Sequence, residues 1–296
     1  MKRKSVLTLL GLLLLTALAV GEMQEQYLDV FYVQVKPEKR AEFDAISKKI
    51  AAANHKNGDE WIAMETIYGA GNRIAFISMR GSYADIDKGM GAFNSSMEKA
   101  YGKAAAEKLF QDFNQCLTST RGEIRRRRWD LSSNVPDDSA AVMKMIGEAR
   151  LLRTAVVHIK PGQIGNFEAL LKDIKAAREK AGQTSLVSQA VAGQEGTVFY
   201  ITVLQNSMAG FDSVPTPQKL LGEEGYAKYL KTSAEVVEST ETVISRFVPE
   251  LSNAPAEVVA AAPDYWTPKP MVAAKAKTTN GVVKAAETAK EEKPKQ

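Results

Sequence analysis

Two features of this sequence have residue types that could do chemistry: His158, in an apolar segment, and a run of four arginines at residues 125–128. A neutral imidazole can act as a general base, and unpaired arginines attract carboxylate or phosphate groups. Each has a structural alternative, because buried hydrogen-bonded histidines are common and charged residues also guard exposed strand edges. With two histidines and one cysteine, the chain gives a zinc or haem site little to build on, so we expect no metal and no cofactor.

The elements that must position these residues occur twice. Residues 33–38 read VQVKPE and residues 157–162 read VHIKPG, and each segment is followed five residues later by a phenylalanine. The offset between the segments is 124, and it continues to Ile77 and Ile201. A match in register over this distance predicts an internal duplication.

Each copy has the predicted order β-α-β-β-α-β, the split βαβ or ferredoxin-like order. The predicted strands are residues 27–35, 61–68, 73–80 and 124–129, then 152–159, 185–192, 197–204 and 243–248. Apolar stripes at helical spacing predict helices at residues 38–56, 83–118 and 163–180, a shorter one before residue 243, and a short linker helix at 139–148. The fold class is therefore α+β, and the apolar sheet face left bare in each copy must be covered by the other copy.

The opening of each copy, a strand followed by Lys-Pro, a phenylalanine and a helix, resembles the dimeric α+β barrel superfamily, which includes antibiotic-biosynthesis-type monooxygenases and stress-responsive barrel proteins. The resemblance covers residues 27–132 and 152–252. It implies a fused barrel, in which one chain supplies both halves of a pseudo-dimer and remains a monomer. The monooxygenase branch tends to use Asn, Trp and His in its cavity. Trp61 and His158 have two of those types, but no position matches the family motif.

Alternation along the strands predicts which side chains enter the barrel. We expect a ligand pocket there with aromatic walls and a few polar groups. The candidate ligand-binding residues are Tyr32, Gln34, Trp61, Glu65, Phe76, Ser78, Arg80, Arg126, Arg128, His158, Gln189, Tyr200, Thr202 and Arg246. No catalytic residue is assigned. His55 is expected at the surface, and Cys116 as a buried small hydrophobic residue.

The two ends of the chain differ from its middle. Residues 1–21 have a basic start, a short apolar core and small residues before Glu22, which predicts a cleaved signal peptide and a periplasmic or secreted protein. An uncleaved anchor is the alternative. The domains are then a first repeat at 22–132, a linker at 133–150, a second repeat at 151–252 and a disordered basic tail at 253–296. This tail could contact anionic envelope polymers.

Three functions are compatible with the sequence. The first is an exported protein that binds a small, partly apolar ligand inside the barrel, with an anionic ligand as one option. The second is a cofactor-independent, monooxygenase-like enzyme, as the resemblance implies, and the third is a structural envelope protein. The net charge of +4 is too small to indicate a nucleic-acid partner.

Overall fold

The computed structural model describes residues 25–55 and 57–267. The predicted signal peptide and residues 268–296 of the predicted tail lie outside the described residues. In the part of the chain that is described, no helix is both long and apolar enough to cross a bilayer.

The fold is a closed antiparallel barrel of eight strands, with helices packed on its outside. The strands are β1 (Tyr27–Val35), β2 (Ile62–Tyr68), β3 (Arg73–Arg80), β4 (Leu117–Arg127), β5 (Leu151–Ile159), β6 (Leu186–Ala192), β7 (Thr197–Gln205) and β8 (Val237–Phe247). The helices are α1 (Arg40–Asn54), α2 (Tyr83–Tyr101), α3 (Lys103–Gln115), α4 (Ser139–Glu148), α5 (Ile164–Lys180), α6 (Pro217–Val236), α7 (Ala256–Ala261) and α8 (Pro263–Trp266).

The order of the strands around the barrel is β1-β3-β2-β8-β5-β7-β6-β4. Four neighbouring strands come from each half of the chain, and the halves join where β2 pairs with β8 and where β4 pairs with β6. The predicted strands of residues 124–129 and 243–248 are longer than expected, since β4 and β8 begin at Leu117 and Val237. Pairing along the whole length of β1 and β5 extends them, which local sequence patterns do not reveal.

The core lies mainly outside the barrel, between the sheet and its helices. In the first half, Val33 and Val35 pack with Phe43 of α1, and in the second half Val157 packs with Phe167 of α5. Cys116 is fully buried in the first of these clusters, as predicted. Burial raises the pKa of its thiol.

The linker helix α4 has the predicted bounds and closes one end of the barrel. Val142 and Ile146 pack against Leu152 and Phe247 there, and α7 packs across the back of α4. A Cβ atom at Gly147 would lie 2.5 Å from the carbonyl oxygen of Val258, so only glycine permits this close approach.

The predicted beginning of the disordered tail, at residue 253, is wrong. Residues 253–267 continue the fold, with Val258 fully buried and Trp266 only 5% exposed. The Trp266 indole N–H donates to the carbonyl oxygen of Gly147 at 2.8 Å. The average composition of residues 253–296 hides these few apolar residues, because Ala, Lys and Pro dominate the 44-residue segment.

The face assignment for β2, β3 and β6 is also wrong, since Glu65, Phe76 and Gln189 face outward. Val33 pairs with Ile74 and Val157 pairs with Phe199, so the offset between the halves becomes 125 in β3 (199 − 74) instead of 124 (157 − 33). The β6–β7 hairpin is one residue longer than the β2–β3 hairpin. Because the side-chain period is two, matching the halves at an offset of 124 assigns β3 to the wrong face.

The joint between the halves contains an ion pair. Glu65 of β2 accepts from Arg246 of β8 at 2.5 Å and 2.9 Å, and also from Arg40 of α1. Burial by itself would raise the pKa of Glu65, but the hydrogen bonds from both arginines outweigh it, so this pKa is lowered below its ordinary value of 4.5.

A Glu65→Gln variant is expected to lose about 1–2 kcal/mol of unfolding free energy at pH 7, since one charged acceptor is removed while Arg246 remains largely solvated. Because the pKa of Glu65 is lower in the folded state, its carboxylate stabilises the fold at pH values above the ordinary pKa of 4.5. This stabilisation is lost as the pH falls through the folded-state pKa. The difference from wild type should therefore shrink below about pH 4. Urea unfolding across this range measures it. Glu250→Gln, which breaks an exposed pair with Lys48, is the control and should change little; an equal loss in both variants would contradict the prediction.

Candidate functional site

A cavity of about 480 Å³ lies between the outer face of the first-half sheet and helices α1, α2 and α3. Its walls are mainly apolar, with six aromatic rings and three aliphatic side chains. The rings belong to Phe31, Trp61, Phe76, Phe93, Phe110 and Phe113, and the aliphatic residues are Ile50, Ile86 and Met90. The polar lining residues are Asp29, Ser47, Asp59, Ser78, Arg80, Asn94 and Asn114.

Trp61 fixes one wall of this cavity. It lies just before β2, and its indole N–H donates to the carbonyl oxygen of Leu251 at 2.8 Å. Phe93 of α2 meets the Trp61 ring edge-on at 5.9 Å and stacks on Phe110 of α3 at 5.8 Å. Edge-on and offset-stacked rings are favourable arrangements, so this wall is held in place without a ligand.

Arg80 and two carboxylates form a charged corner of the cavity. Arg80 donates hydrogen bonds from both terminal nitrogens to the carboxylate of Asp59 at 2.6 Å each, and an Asp29 carboxylate oxygen lies 3.6 Å from Arg80 Nη2. Burial raises the pKa of Asp29, and Arg80 opposes this shift. Helix α2 lies directly over the guanidinium, because a Cβ atom at Gly89 would be 2.6 Å from Arg80 Nη1. The charges of Arg80 and Asp59 neutralise each other, although the buried Nε of Arg80 has no hydrogen-bond partner among the described residues, so this corner shapes the cavity more than it attracts a free ion.

Ser47 of α1 also contributes a polar atom without a partner. The residue is 2% exposed, and its hydroxyl is buried with no hydrogen-bond partner among the described residues. The equivalent residue in the second half, at the offset of 124, is Leu171, which is buried in the core. A buried hydroxyl without a partner destabilises by about 1–3 kcal/mol, and a polar atom of a ligand in the cavity would satisfy it.

The lining of the cavity is not repeated at the equivalent described positions of the second half. There the residues that replace Asp29 and Ser78, at the offsets of the two strands, are Arg153 and Val203. Phe211 covers this region, packing on Val203 and lying 5.2 Å from the Arg153 guanidinium. The site is therefore a property of the first half.

The structure separates the fourteen predicted site residues into two groups. Five face the barrel interior: Tyr32, Gln34, His158, Tyr200 and Thr202. Nine face outward: Trp61, Glu65, Phe76, Ser78, Arg80, Arg126, Arg128, Gln189 and Arg246. Of the nine, Trp61, Phe76, Ser78 and Arg80 come together in the cavity under the helices, where the reversed face of β3 places them.

The other outward residues have structural partners. Glu65 and Arg246 join the halves, and Arg128 donates to Asp130, Glu168 and Gln189. Arg126 is 43% exposed and lies 3.9 Å from Glu25. Two arginines of the run do face the barrel interior, as expected, but they are Arg125 and Arg127, since Arg125 lies opposite Leu28 on the interior face of β1.

Inside the barrel, Arg125 joins the two halves. It donates to Glu123 at 2.7 Å and to the Tyr32 hydroxyl, and its guanidinium lies 3.3 Å from the centre of the Tyr200 ring. The Tyr200 hydroxyl accepts from Gln194 at 2.6 Å, and burial raises the pKa of this phenol. His158 is half-buried on the interior face, but its ring makes no hydrogen bond to the described residues, so it is not part of this network.

Sequence reasoning missed Asp29, Ser47, Asp59 and the phenylalanines of α2 and α3. One signal for Ser47 was available, because a polar residue stands where the other copy has the core residue Leu171. Among residues 25–55 and 57–267, no group of three His, Cys, Asp or Glu side chains converges in a way that could hold a metal ion.

No protein-family model matches the chain, and no curated protein is significantly similar to it. Solved structures of similar outline include an anthrone oxidase-like protein, with TM-score 0.48 and 13% identity over 76% of this chain and 92% of the other. A proposed monooxygenase from Lactobacillus acidophilus has TM-score 0.47 and 10% identity over 76% and 94%. A heme-binding protein from Thermus thermophilus has TM-score 0.43 and 10% identity over 77% and 93%. Values this low do not transfer a function, which must come from the site itself.

Proposed function

We propose that this protein binds a small, mainly apolar molecule in the cavity of its first half. The observation that carries the proposal is the cavity itself, about 480 Å³ in volume and lined by six aromatic rings, with the unpartnered hydroxyl of Ser47 in its wall. Sites for small ligands are typically concave, about 300–1,000 Å³ in volume, mostly apolar, and equipped with a few polar groups that orient the ligand. The position differs from the barrel interior that the sequence suggested.

The polar groups of the cavity indicate the character of the ligand. Asp59 and Arg80 neutralise each other, so a strongly charged ligand would have to separate them. Ser47 can donate or accept one hydrogen bond. The best fit is a neutral aromatic molecule with a hydroxyl or carbonyl group near α1.

Binding without turnover is favoured over a monooxygenase-like reaction. Trp61, Asn94 and Asn114 line the cavity, but the Trp61 indole N–H is already bonded to Leu251, and His158 lies on the interior face of the barrel. The Asn, Trp and His combination that the family resemblance implied is therefore not assembled around the cavity.

A Ser47→Leu variant is expected to lose ligand binding while keeping its fold. Leucine is the residue at the equivalent buried position of the second half, and in the first half it would project into the cavity and remove the unpartnered hydroxyl. The fluorescence of N-phenyl-1-naphthylamine, a neutral apolar probe, should rise on titration with wild type. We expect its affinity to fall at least about tenfold in the variant, a difference of about 1.4 kcal/mol.

Ser95→Leu makes the same change on an exposed position of α2 and is the matched control. It should bind the probe as wild type does. Equal probe binding by wild type and Ser47→Leu, with both variants folded by circular dichroism, would contradict the proposed site.

Two further proposals concern the origin of the two halves and the location of the protein. We infer that the two halves arose by tandem duplication of one α+β barrel unit. Their matching strand orders and the offset of 124 shared by β1, β2 and α1 with β5, β6 and α5 support this. We also propose export from the cytoplasm, on the basis of the basic and apolar start of residues 1–21.

A further inference from the structure

The interior face of β4 carries more positive than negative charge. Arg121, Glu123, Arg125 and Arg127 alternate along it, and they face the interior because Glu123 and Arg125 lie opposite Val30 and Leu28. Glu123 accepts from Arg125 at 2.7 Å and from Arg121 at 3.2 Å. One carboxylate thus serves two arginines, and Arg127 is left over.

Arg127 is buried without a counter-charge. The residue is 9% exposed, and its guanidinium makes no hydrogen bond or ion pair with the described residues. Its closest ring contact is with Trp129, 5.4 Å from the ring centre. Burial and the charge of Arg125 lower the pKa of Arg127 to about 10, so it remains a cation at neutral pH. A buried cation of this kind strongly favours an anionic partner.

A second donor lies beside it. Ser188 of β6 is directly opposite Arg127 in the β4–β6 register and is 3% exposed. Residues directly opposite in antiparallel strands have Cβ atoms about 4.5–5.5 Å apart. The Ser188 hydroxyl has no hydrogen bond with the described residues, whereas nearby Thr154 and Thr202 bond each other at 3.0 Å. Two unpartnered donors therefore meet in the interior at the same place.

We propose that the barrel interior binds a small oxyanion, a carboxylate or phosphate group, between Arg127 and Ser188. The planar guanidinium can donate two parallel hydrogen bonds to such a group, and the serine hydroxyl a third. The neighbouring interior is filled by the apolar cluster of Leu28, Val30 and Ala75, so the anion must be small. This site is on the opposite face of the sheet from the apolar cavity and does not depend on the function proposed for that cavity.

Thermal unfolding with inorganic phosphate or acetate, at ionic strength held constant with chloride, tests the proposal. Saturating anion should raise the midpoint of wild type by about 5–10 °C, the linkage effect of a ligand at about a hundred times its Kd in a protein of this size. Arg126→Met removes the same charge from the outward face of β4 and should keep this shift, while Arg127→Met should lose it. A response to phosphate or to acetate identifies which oxyanion the site accepts.

Phosphorus NMR on the wild type, with a variant that keeps the charge, guards against a variant that fails to fold. The ³¹P resonance of inorganic phosphate should broaden on addition of wild-type protein, and Arg127→Lys, which keeps the charge without the planar fork, should weaken binding about tenfold or more. The proposal is overturned if neither phosphate nor acetate stabilises or binds the wild type. It is also overturned if Arg127→Met and Arg126→Met respond to both anions equally.

Discussion

A chain ending at Asn253 is expected to unfold about 10 °C below a chain ending at Thr267, a loss of about 3–5 kcal/mol for a protein of this size. Helices α7 and α8 contribute Val258, fully buried, and Trp266, whose ring lies 5.4 Å from that of Phe247. Truncation also removes the Tyr265 hydroxyl, which donates to the carbonyl oxygen of Phe247 at 3.0 Å. Removing these residues uncovers the end of the barrel that α4 closes.

The chain ending at Thr267 is the matched control, because it keeps every contact described above. Full-length Trp266→Ala should lose a similar amount, about 3–5 kcal/mol, through the cavity that it leaves. Differential scanning calorimetry on the three proteins measures the effect. Identical midpoints for the chains ending at residues 253 and 267 would show that α7 and α8 do not stabilise the barrel.

Arg125→Met is expected to destabilise the protein by about 3–5 kcal/mol, because removing one partner leaves a buried charge behind. The side chain of Glu123 is completely buried, and Arg125 is its closest cation at 2.7 Å. The variant also removes the donor to Tyr32 and the cation that lies over the Tyr200 ring. Urea unfolding at pH 7 measures the loss.

The double variant Arg125→Met, Glu123→Leu should recover most of that loss, since replacing a buried pair by apolar residues is often neutral or stabilising. Arg126→Met is the control on the same strand. Its guanidinium is 43% exposed, so a change within about 0.5 kcal/mol is expected. A double variant no more stable than Arg125→Met would mean that Glu123 is not left uncompensated by the single change.

Much of the architecture could be predicted from local patterns. The strands β1 and β5, the helices that follow them and the linker helix α4 occur at or near their predicted places, because apolar periodicity and Lys-Pro punctuation are local signals. The face of β3 could not be predicted in the same way. It is set by the pairing of β3 with β1, and a comparison of the halves at a fixed offset fails there because the β6–β7 hairpin is one residue longer, which is visible only once strands are paired.

The candidate site shows the same limit. Alternation along the strands predicts that Trp61, Phe76, Ser78 and Arg80 share one face, and they do line one cavity, but on the outside of the barrel. The sequence does not indicate Phe93, Phe110 and Phe113 as site residues, because aromatic residues on helices usually pack in a hydrophobic core. The residues that face them across the cavity belong to the sheet and are distant in sequence, so local patterns do not show that they line the same cavity.

Joining both four-stranded sheets in one chain has a consequence for how binding can diversify. A two-fold dimer of a shorter chain must carry the same residue at both equivalent positions. Here Ser47 stands against Leu171, and Asp29 against Arg153, so the residues that line the first-half cavity are not repeated in the second half. Selection for a new ligand can therefore change residues of the first half while the second half keeps its sequence and supports the fold. A mutational library confined to the cavity walls formed by α1, α2 and α3 should yield altered ligand specificity with little loss of folded protein.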